Sequence, residues 1–154
     1  MTAPTTPTTP PARRLDFQVR TLLPDDQEFV FSSWLKSNLN GSGVGYDKMP
    51  PETYFHWHHQ ILESLMCDGL VAWVMAHAPE DPRFIYGWMC GQMTVRADDG
   101  ISPIVHFVYV KKNFRRLGVA TALLELFGVN SEVALIATHR TAAGDQVLAG
   151  MRAV

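Results

Sequence analysis

Cysteine, long apolar runs and an excess of either charge are all scarce in this sequence. Its 154 residues include only two cysteines, Cys67 and Cys90, which are too few for a disulfide scaffold. A single bridge fits the sequence, but buried free thiols in a reducing compartment are the expected state. The net charge of −2 gives no global attraction to nucleic acid, so any basic role must be local.

The apolar runs are also too short to cross a bilayer. Outside residues 104–110, the longest one extends from Leu70 to Ala76. Residues 1–12 are almost entirely Thr, Pro and Ala, which predicts a disordered tail and no apolar leader. The hydrophobic fraction of 47% and the charged fraction of 18% favour a folded globule. We therefore expect a soluble cytoplasmic protein with a single domain at residues 13–154.

The most informative stretch extends from Ile104 to Gly128. Residues 104–110 are apolar or aromatic except for His106, which predicts a buried strand. A basic turn follows, and then apolar residues recur with helical spacing at Val119, Leu123, Leu126 and Phe127, before Gly128. A helix N-terminus that follows a strand and carries cations can bind an anion, most often phosphate. The sequence therefore predicts an anion site at residues 115–121.

The order of elements predicts a mixed α/β sheet with helices on both faces. Five strands are predicted. The first begins at Leu15, and the other four span residues 70–77, 84–95, 104–110 and 133–138, the last of which is expected to be buried. Four helices are predicted. The first begins at Pro24, the second spans residues 52–67 and the third begins at Gly118. The fourth, in residues 139–154, has only a weak helical pattern, which Gly144 and Gly150 interrupt. Strands two to four follow one another without helices, which favours antiparallel pairing, whereas strands four and five require a parallel crossover.

Arg115, Gly118 and Ala120 fill the defined positions of the pattern R/Q-x-x-G-x-G/A. Placed after a buried strand and before a helix, this pattern resembles the acyl-CoA signature of the GNAT superfamily of N-acetyltransferases. The resemblance covers roughly residues 15–140, and its first strand and helix are similar to short acetyltransferase-like proteins of bacteriophages. It implies a GNAT-like fold with strands 1–4 antiparallel, strands 4–5 parallel and a shortened C-terminus.

The resemblance also implies acetyl-CoA as acyl donor. Its pyrophosphate would lie on Arg115, Arg116, Leu117, Gly118, Val119, Ala120 and Thr121, and its pantetheine arm along Val108, Tyr109 and Val110. The physical reason for Gly118 is that a missing side chain lets backbone N–H groups approach the phosphates. Lys111 and Lys112 would add attraction. The alternative is an ordinary strand-to-helix turn with solvated cations.

Catalysis by direct attack of an amine on the thioester is the implied reaction, without a covalent enzyme intermediate. His106 is the candidate catalytic residue because imidazole exchanges protons near neutral pH. The alternative is a core histidine bonded to a backbone carbonyl. The acidic residue that some family members carry in this strand is Ile104 here, and residues 139–154 contain no tyrosine to serve as the acid.

One further departure from the family bears on the partner. The family normally continues into two more strands, so either the chain is shortened, or its acceptor site is open or completed by a partner. We expect an amine-bearing small molecule or protein as acceptor, allow a homodimer, and expect neither nucleic acid nor membrane as partner. The alternative function is a CoA-binding module that acts through protein contact without catalysis.

Two other patterns have ordinary explanations. The glycines at positions 41, 43 and 45 follow a helix rather than a strand, so residues 36–49 are predicted to form a flexible loop. In GNAT proteins the loop between the first two helices often covers the acceptor, so the resemblance implies this role for residues 40–46. His56, His58 and His59 lack a spaced acidic or cysteine partner. They are interpreted as surface histidines, and no metal site is predicted.

Overall fold

Five strands and four helices make up the part of the chain that the computed structural model describes, which is residues 14–41, 48–130, 132–133, 135–138 and 142–152. In chain order these elements are β1 (Gln18–Thr21), α1 (Gln27–Gly41), α2 (Pro51–Cys67), β2 (Ala72–Ala78), β3 (Asp81–Val95), β4 (Ile101–Val110), α3 (Val119–Leu126), β5 (Ile136–Ala137) and α4 (Ala142–Arg152). Short 3-10 turns at Pro24–Asp26 and Lys112–Phe114 precede α1 and α3.

The strands form one sheet in the order β1-β2-β3-β4-β5. Strands β1 to β4 are antiparallel neighbours, and β4 pairs with β5 in parallel, as predicted. The fifth strand forms, but it is shorter and more exposed than predicted for residues 133–138: among the described residues of this range, only Ile136 and Ala137 pair with β4, and both are exposed. The described sheet therefore consists of four antiparallel strands and a parallel pair that is only two residues long.

Several predicted boundaries also differ. The first strand begins at Gln18 rather than Leu15, because the Leu15 N–H donates to the Leu117 carbonyl at 3.1 Å instead of pairing in the sheet. Helix α1 continues through the predicted loop start to Gly41, and residues 42–47 of that loop lie outside the described residues. Strand β3 begins at Asp81, so the predicted turn at residues 78–83 is shorter than expected.

Helices cover both faces of the sheet, as predicted, and bury a separate apolar cluster on each. The α1–α2 core consists of Val30, Trp34, Leu62, Val71, Trp73, Met75, Ile85, Trp88, Cys90 and Phe107. The α3 core consists of Ala76, Met89, Val105, Val110, Val119, Leu123, Leu124 and Val129. Leu126 was predicted on the buried face of α3 but is 58% exposed, and Leu124 is buried instead.

Two polar contacts attach α1 to the sheet. The Trp88 indole N–H donates to Ser33 Oγ at 2.8 Å, so this fully buried ring keeps a hydrogen-bond partner. Asp26 accepts from Arg20 Nη1 at 2.6 Å, from Arg20 Nη2 at 2.9 Å and from the Leu23 N–H at 2.8 Å. The hydrogen bonds from Arg20 hold the pKa of Asp26 below its usual range.

A β-bulge interrupts the pairing of β3 with β4 at the centre of the sheet. Cys90 lies opposite Phe107 and Gly91 lies opposite Val105, so His106 is the extra residue on β4. Glycine suits position 91 because the backbones approach closely there: a Cβ would lie 2.6 Å from the Ile104 carbonyl oxygen. The bulge also moves Val105 and Phe107 into opposite cores.

Candidate functional site

Strands β4 and β5 separate immediately after their short contact. Ile104 pairs with Ile136, Val105 pairs with Ala137, and the Thr138 N–H donates to the Val105 carbonyl at 3.1 Å. From His106 to Val110, no other strand of the described chain pairs with this side of β4. We call this side of residues 106–110 the open edge of β4.

The peptide groups of Val108 and Val110 face the open edge. The Lys111 N–H donates to the Tyr86 carbonyl at 2.8 Å, and Tyr109 lies opposite Trp88, so these two peptides point towards β3. Because peptide orientation alternates along a strand, the peptides of Val108 and Val110 point the other way. Tyr109 therefore contributes no peptide group to the open edge, and its side chain packs against the α1–α2 core.

Residues 115–121, which we call the β4–α3 turn, present a run of backbone N–H groups. Arg116 and Gly118 have left-handed backbones, with φ of 61° and 86°. Within the described chain, the N–H groups of residues 116–121 donate no hydrogen bond, and the first helical bond runs from the Ala122 N–H to the Gly118 carbonyl at 3.0 Å. Successive unbonded N–H groups at a helix start form a concave surface suited to an anion.

Side chains hold this turn in place. Val119 and Ala120 pack in or against the α3 core, which fixes the first turn of the helix. The Leu117 carbonyl accepts from the Leu15 N–H, and Thr121 is partly buried. At Gly118, a Cβ would approach only the Arg14 side chain, at 3.9 Å from Cγ, so its surface is open on the remaining sides. The turn is thus rigid in its backbone and accessible at Gly118.

The predicted cations do not all point towards the turn. Arg115 Nε donates to the Val110 carbonyl at 2.9 Å, so this guanidinium bridges the turn and the open edge. Lys111 Nζ lies 5.0 Å from the Phe29 ring centroid and 5.1 Å from that of Phe84, and burial lowers its pKa. Arg116 is exposed, as is Lys112.

His106 lies where β4 and β5 separate. Its Nε2 is 3.1 Å from Gln92 Oε1, and its Nδ1 is 3.4 Å from Thr138 Oγ1. A carboxamide oxygen accepts hydrogen bonds, so Nε2 carries the proton in this arrangement and Nδ1 holds the lone pair. The bulge at His106 brings these three side chains from β3, β4 and the end of β5 together.

Gln92 is a neighbour of the site that sequence reasoning missed. Its only signal was a polar residue inside the apolar run of β3, two positions after the bulge begins. The backbone pairing explains it, because Gln92 lies opposite Ile104 and thus beside the extra residue of β4. Ile104 pairs with Ile136, so neither strand supplies a carboxylate at the position where some GNAT proteins carry an acidic residue. Residues 139–141 lie outside the described chain.

Other sequence predictions have mixed outcomes. His58 is buried beside Asn38, with Nδ1 3.3 Å from Asn38 Nδ2, so its prediction as a surface histidine is wrong. Both cysteines are free, but Cys67 is exposed, whereas Cys90 was correctly expected to be buried. The described residues contain no group of three or more metal-ligating side chains. None of their helices combines the length and apolar character needed to cross a membrane.

A surface cavity of about 620 Å³ lies away from this site. It is lined by residues from the start of β1 and from α3, namely Phe17, Gln18, Val19, Ala122, Glu125 and Leu126. It contacts neither His106 nor the open edge of β4. The chemistry-bearing groups therefore belong to the groove between β4 and β5 rather than to this cavity.

No family model matches the sequence, and no curated protein matches it either. Solved structures do resemble the fold. A predicted acetyltransferase with acetyl-CoA from Clostridium acetobutylicum has a TM-score of 0.56 at 14% identity, over 88% of both chains. An aminoglycoside N-acetyltransferase in complex with CoA has a TM-score of 0.55 at 16% identity, over 95% of this chain and 90% of that one. A ribosomal-protein-alanine N-acetyltransferase from Brucella melitensis has a TM-score of 0.53 at 17% identity, over 84% of both.

At these identities the similarity concerns the fold. The sheet order, the parallel β4–β5 pair and the helices on both faces are those predicted from the sequence. The chain therefore has the GNAT fold, which it shares with N-acetyltransferases whose structures hold acetyl-CoA or CoA.

Proposed function

We propose that this protein transfers an acetyl group from acetyl-CoA to an amine by direct attack. The observation that supports it most is the juxtaposition of two features at one end of β4. The N–H groups of Val108 and Val110 lie along a strand edge that no other described strand pairs with, and the N–H groups of residues 116–121 follow directly. An extended amide-bearing arm that ends in phosphates matches both.

The residues present fit acetyl-CoA at each of these features. The N–H groups of the β4–α3 turn would hold the pyrophosphate, with Gly118 leaving room for it. The N–H groups of Val108 and Val110 would hydrogen-bond to the pantetheine arm, and one of them would polarise the thioester carbonyl. When bound, acetyl-CoA supplies the acetyl carbon, whose bond to sulfur breaks as a bond to the amine nitrogen forms.

His106 would manage the proton of the attacking amine. With Nε2 directed at Gln92, Nδ1 would be the atom that accepts the proton, and it lies 3.4 Å from Thr138 Oγ1. Imidazole side chains exchange protons near neutral pH, which suits general-base catalysis. Gln92 would act as a positioning residue that sets the tautomer, because its Oε1 lies 3.1 Å from Nε2 of the imidazole. CoA would leave as a thiolate and take its proton from water, while His106 would hold the proton lost by the amine.

The acceptor is proposed only as an amine. The structural neighbours include enzymes named for an aminoglycoside and for a ribosomal-protein alanine, so one fold accommodates both a small molecule and a protein. A cytoplasmic location, a homodimer, a disordered tail at residues 1–12 and the likeness to bacteriophage proteins stay predictions from the sequence.

A CoA-binding module that acts by protein contact is the second candidate. It is favoured by the absence of a tyrosine from residues 139–154, where GNAT proteins carry their usual general acid. The two candidates share the acyl-CoA site and differ in turnover. Transfer without that acid would depend on a thiolate leaving unprotonated or on a proton from water.

The test is CoA release from acetyl-CoA, followed with a thiol reagent, over a panel of polyamines, aminoglycosides and peptides with free N-termini. Amine-dependent release above the rate of spontaneous hydrolysis is the expected result. Binding of acetyl-CoA without release for any amine would favour the module. Absence of binding at millimolar acetyl-CoA would contradict both candidates.

A further inference from the structure

The chain segment before β1 lies directly against the β4–α3 turn. The Leu15 N–H donates to the Leu117 carbonyl at 3.1 Å, and the Leu15 side chain packs against the α3 core. These two contacts hold the backbone next to the turn although the residues are far apart in sequence. The position of Arg14, one residue earlier, is therefore set by the turn itself.

The Arg14 side chain passes across the surface of Gly118. Its Cγ is the one atom within 4 Å of a Cβ built on Gly118, at 3.9 Å. Arg14 is exposed, so its guanidinium is accessible to an anion at the surface of the turn. The structure describes no hydrogen bond or ion pair for Arg14 with any other described residue.

Two of the other cations near the turn have contacts of their own. Arg115 Nε donates to the Val110 carbonyl, and the Lys111 ammonium lies over the rings of Phe29 and Phe84. Arg116 and Lys112 are exposed, and among the described residues Arg14 is the cationic one whose side chain lies within 4 Å of a Cβ built on Gly118. No sequence motif connects Arg14 with the turn, because the contacts of Leu15 bring the two segments together.

We propose that Arg14 is a further phosphate-binding residue, which completes the pyrophosphate site of the β4–α3 turn from the segment before β1. A guanidinium offers paired donors that match two phosphate oxygens, whereas the backbone N–H groups approach from the other side. This inference rests on the proposed function, since it presumes that an acyl-CoA binds at the turn.

The experiment is calorimetric titration of CoA and of dephospho-CoA into the full-length protein and two variants. Arg14→Ala removes the proposed contact. Arg96→Ala removes the same charge at the β3–β4 turn, at the other end of β4 from the site, where Arg96 pairs with Asp98. We expect Arg14→Ala to raise the Kd about two- to fivefold, the upper part of the range for an exposed charge pair. The rise should be equal for both ligands, and Arg96→Ala should match the wild type.

Each other outcome has a distinct meaning. If the wild type binds CoA and Arg14→Ala binds it equally well, the role of Arg14 is refuted and the proposed function stands. An equal loss in Arg96→Ala would attribute the effect to net charge and refute the contact. If Arg14→Ala weakened the affinity for CoA but not for dephospho-CoA, Arg14 would contact the phosphate that dephospho-CoA lacks, and its contact with the pyrophosphate would be refuted. A wild type that binds neither ligand overturns the proposed function and this inference with it.

Discussion

Replacing Gly118 by glutamate separates the backbone role of this residue from its place in the site. Gly118 has a φ of 86°, which L side chains rarely adopt, so any replacement strains the backbone by about 1–2 kcal/mol. A new Cβ would overlap nothing, because its nearest neighbour is Arg14 Cγ at 3.9 Å. For a domain of this size, the strain should lower the melting temperature by about 2–8 °C.

Gly128 provides a matched control. Its φ is 78°, and a Cβ there would have no atom within 4 Å, so Gly128→Glu introduces a comparable strain and the same charge. It lies past the C-terminal end of α3, whereas Gly118 lies at the N-terminal end. We therefore expect the two variants to lose similar stability, as measured by thermal unfolding without ligand.

Binding should distinguish the two variants. A carboxylate about 5 Å from a phosphate charge costs about 1–3 kcal/mol for effective dielectric constants between those of water and a protein surface. That cost corresponds to roughly a 5- to 150-fold weaker affinity for CoA in Gly118→Glu. Gly128→Glu should bind CoA like the wild type. An unchanged affinity in Gly118→Glu, or an equal loss in both variants, would refute the placement of the pyrophosphate at this turn.

Three further predictions concern catalysis, stability and reactivity. His106→Gln should lower amine-dependent CoA release about 100-fold or more with little change in CoA affinity, and undiminished release would exclude His106 as the base. Asp26→Asn should lower the free energy of unfolding by about 1–2 kcal/mol at pH 7, because charge-assisted bonds to Arg20 are lost from a partly exposed pair. The folded pKa of Asp26 is lowered, so this stabilisation is present above the unfolded value of about 4 and is lost as the pH falls through the folded pKa. Urea denaturation at pH 7 and pH 3 should show the difference shrink, and an equal difference at both would contradict the ion pair. A thiol reagent at pH 8 should modify Cys67 alone in the native protein and both cysteines in denaturant, because burial raises the pKa of the Cys90 thiol. Rapid native modification of Cys90 would disagree with its burial.

The sequence predicted the fold well where local patterns dominate. The apolar run at residues 104–110 and the helical spacing from Val119 onwards are contiguous signals, and both elements form nearly where expected. Strand β5 is the opposite case. Its residues 133–138 have the composition of a buried strand, but among those described only Ile136 and Ala137 pair with β4.

The site was predicted less completely, because long-range contacts assemble it. The bulge at His106 depends on how β3 and β4 align, so the alternation of apolar residues alone did not reveal it. Gln92 comes beside His106 through that alignment, and Arg14 comes beside Gly118 through one backbone bond. Lys111, by contrast, was expected to attract the anion, but two aromatic rings hold its side chain.

Calorimetric titration of acetyl-CoA into the wild-type protein tests the central claim most directly. One acetyl-CoA should bind per chain with a Kd below about 1 mM, and CoA should compete for the same site. The Gly118→Glu variant should weaken both ligands in parallel. Titration to millimolar acetyl-CoA without binding heat, together with no shift in melting temperature, would contradict an acyl-CoA site on this fold.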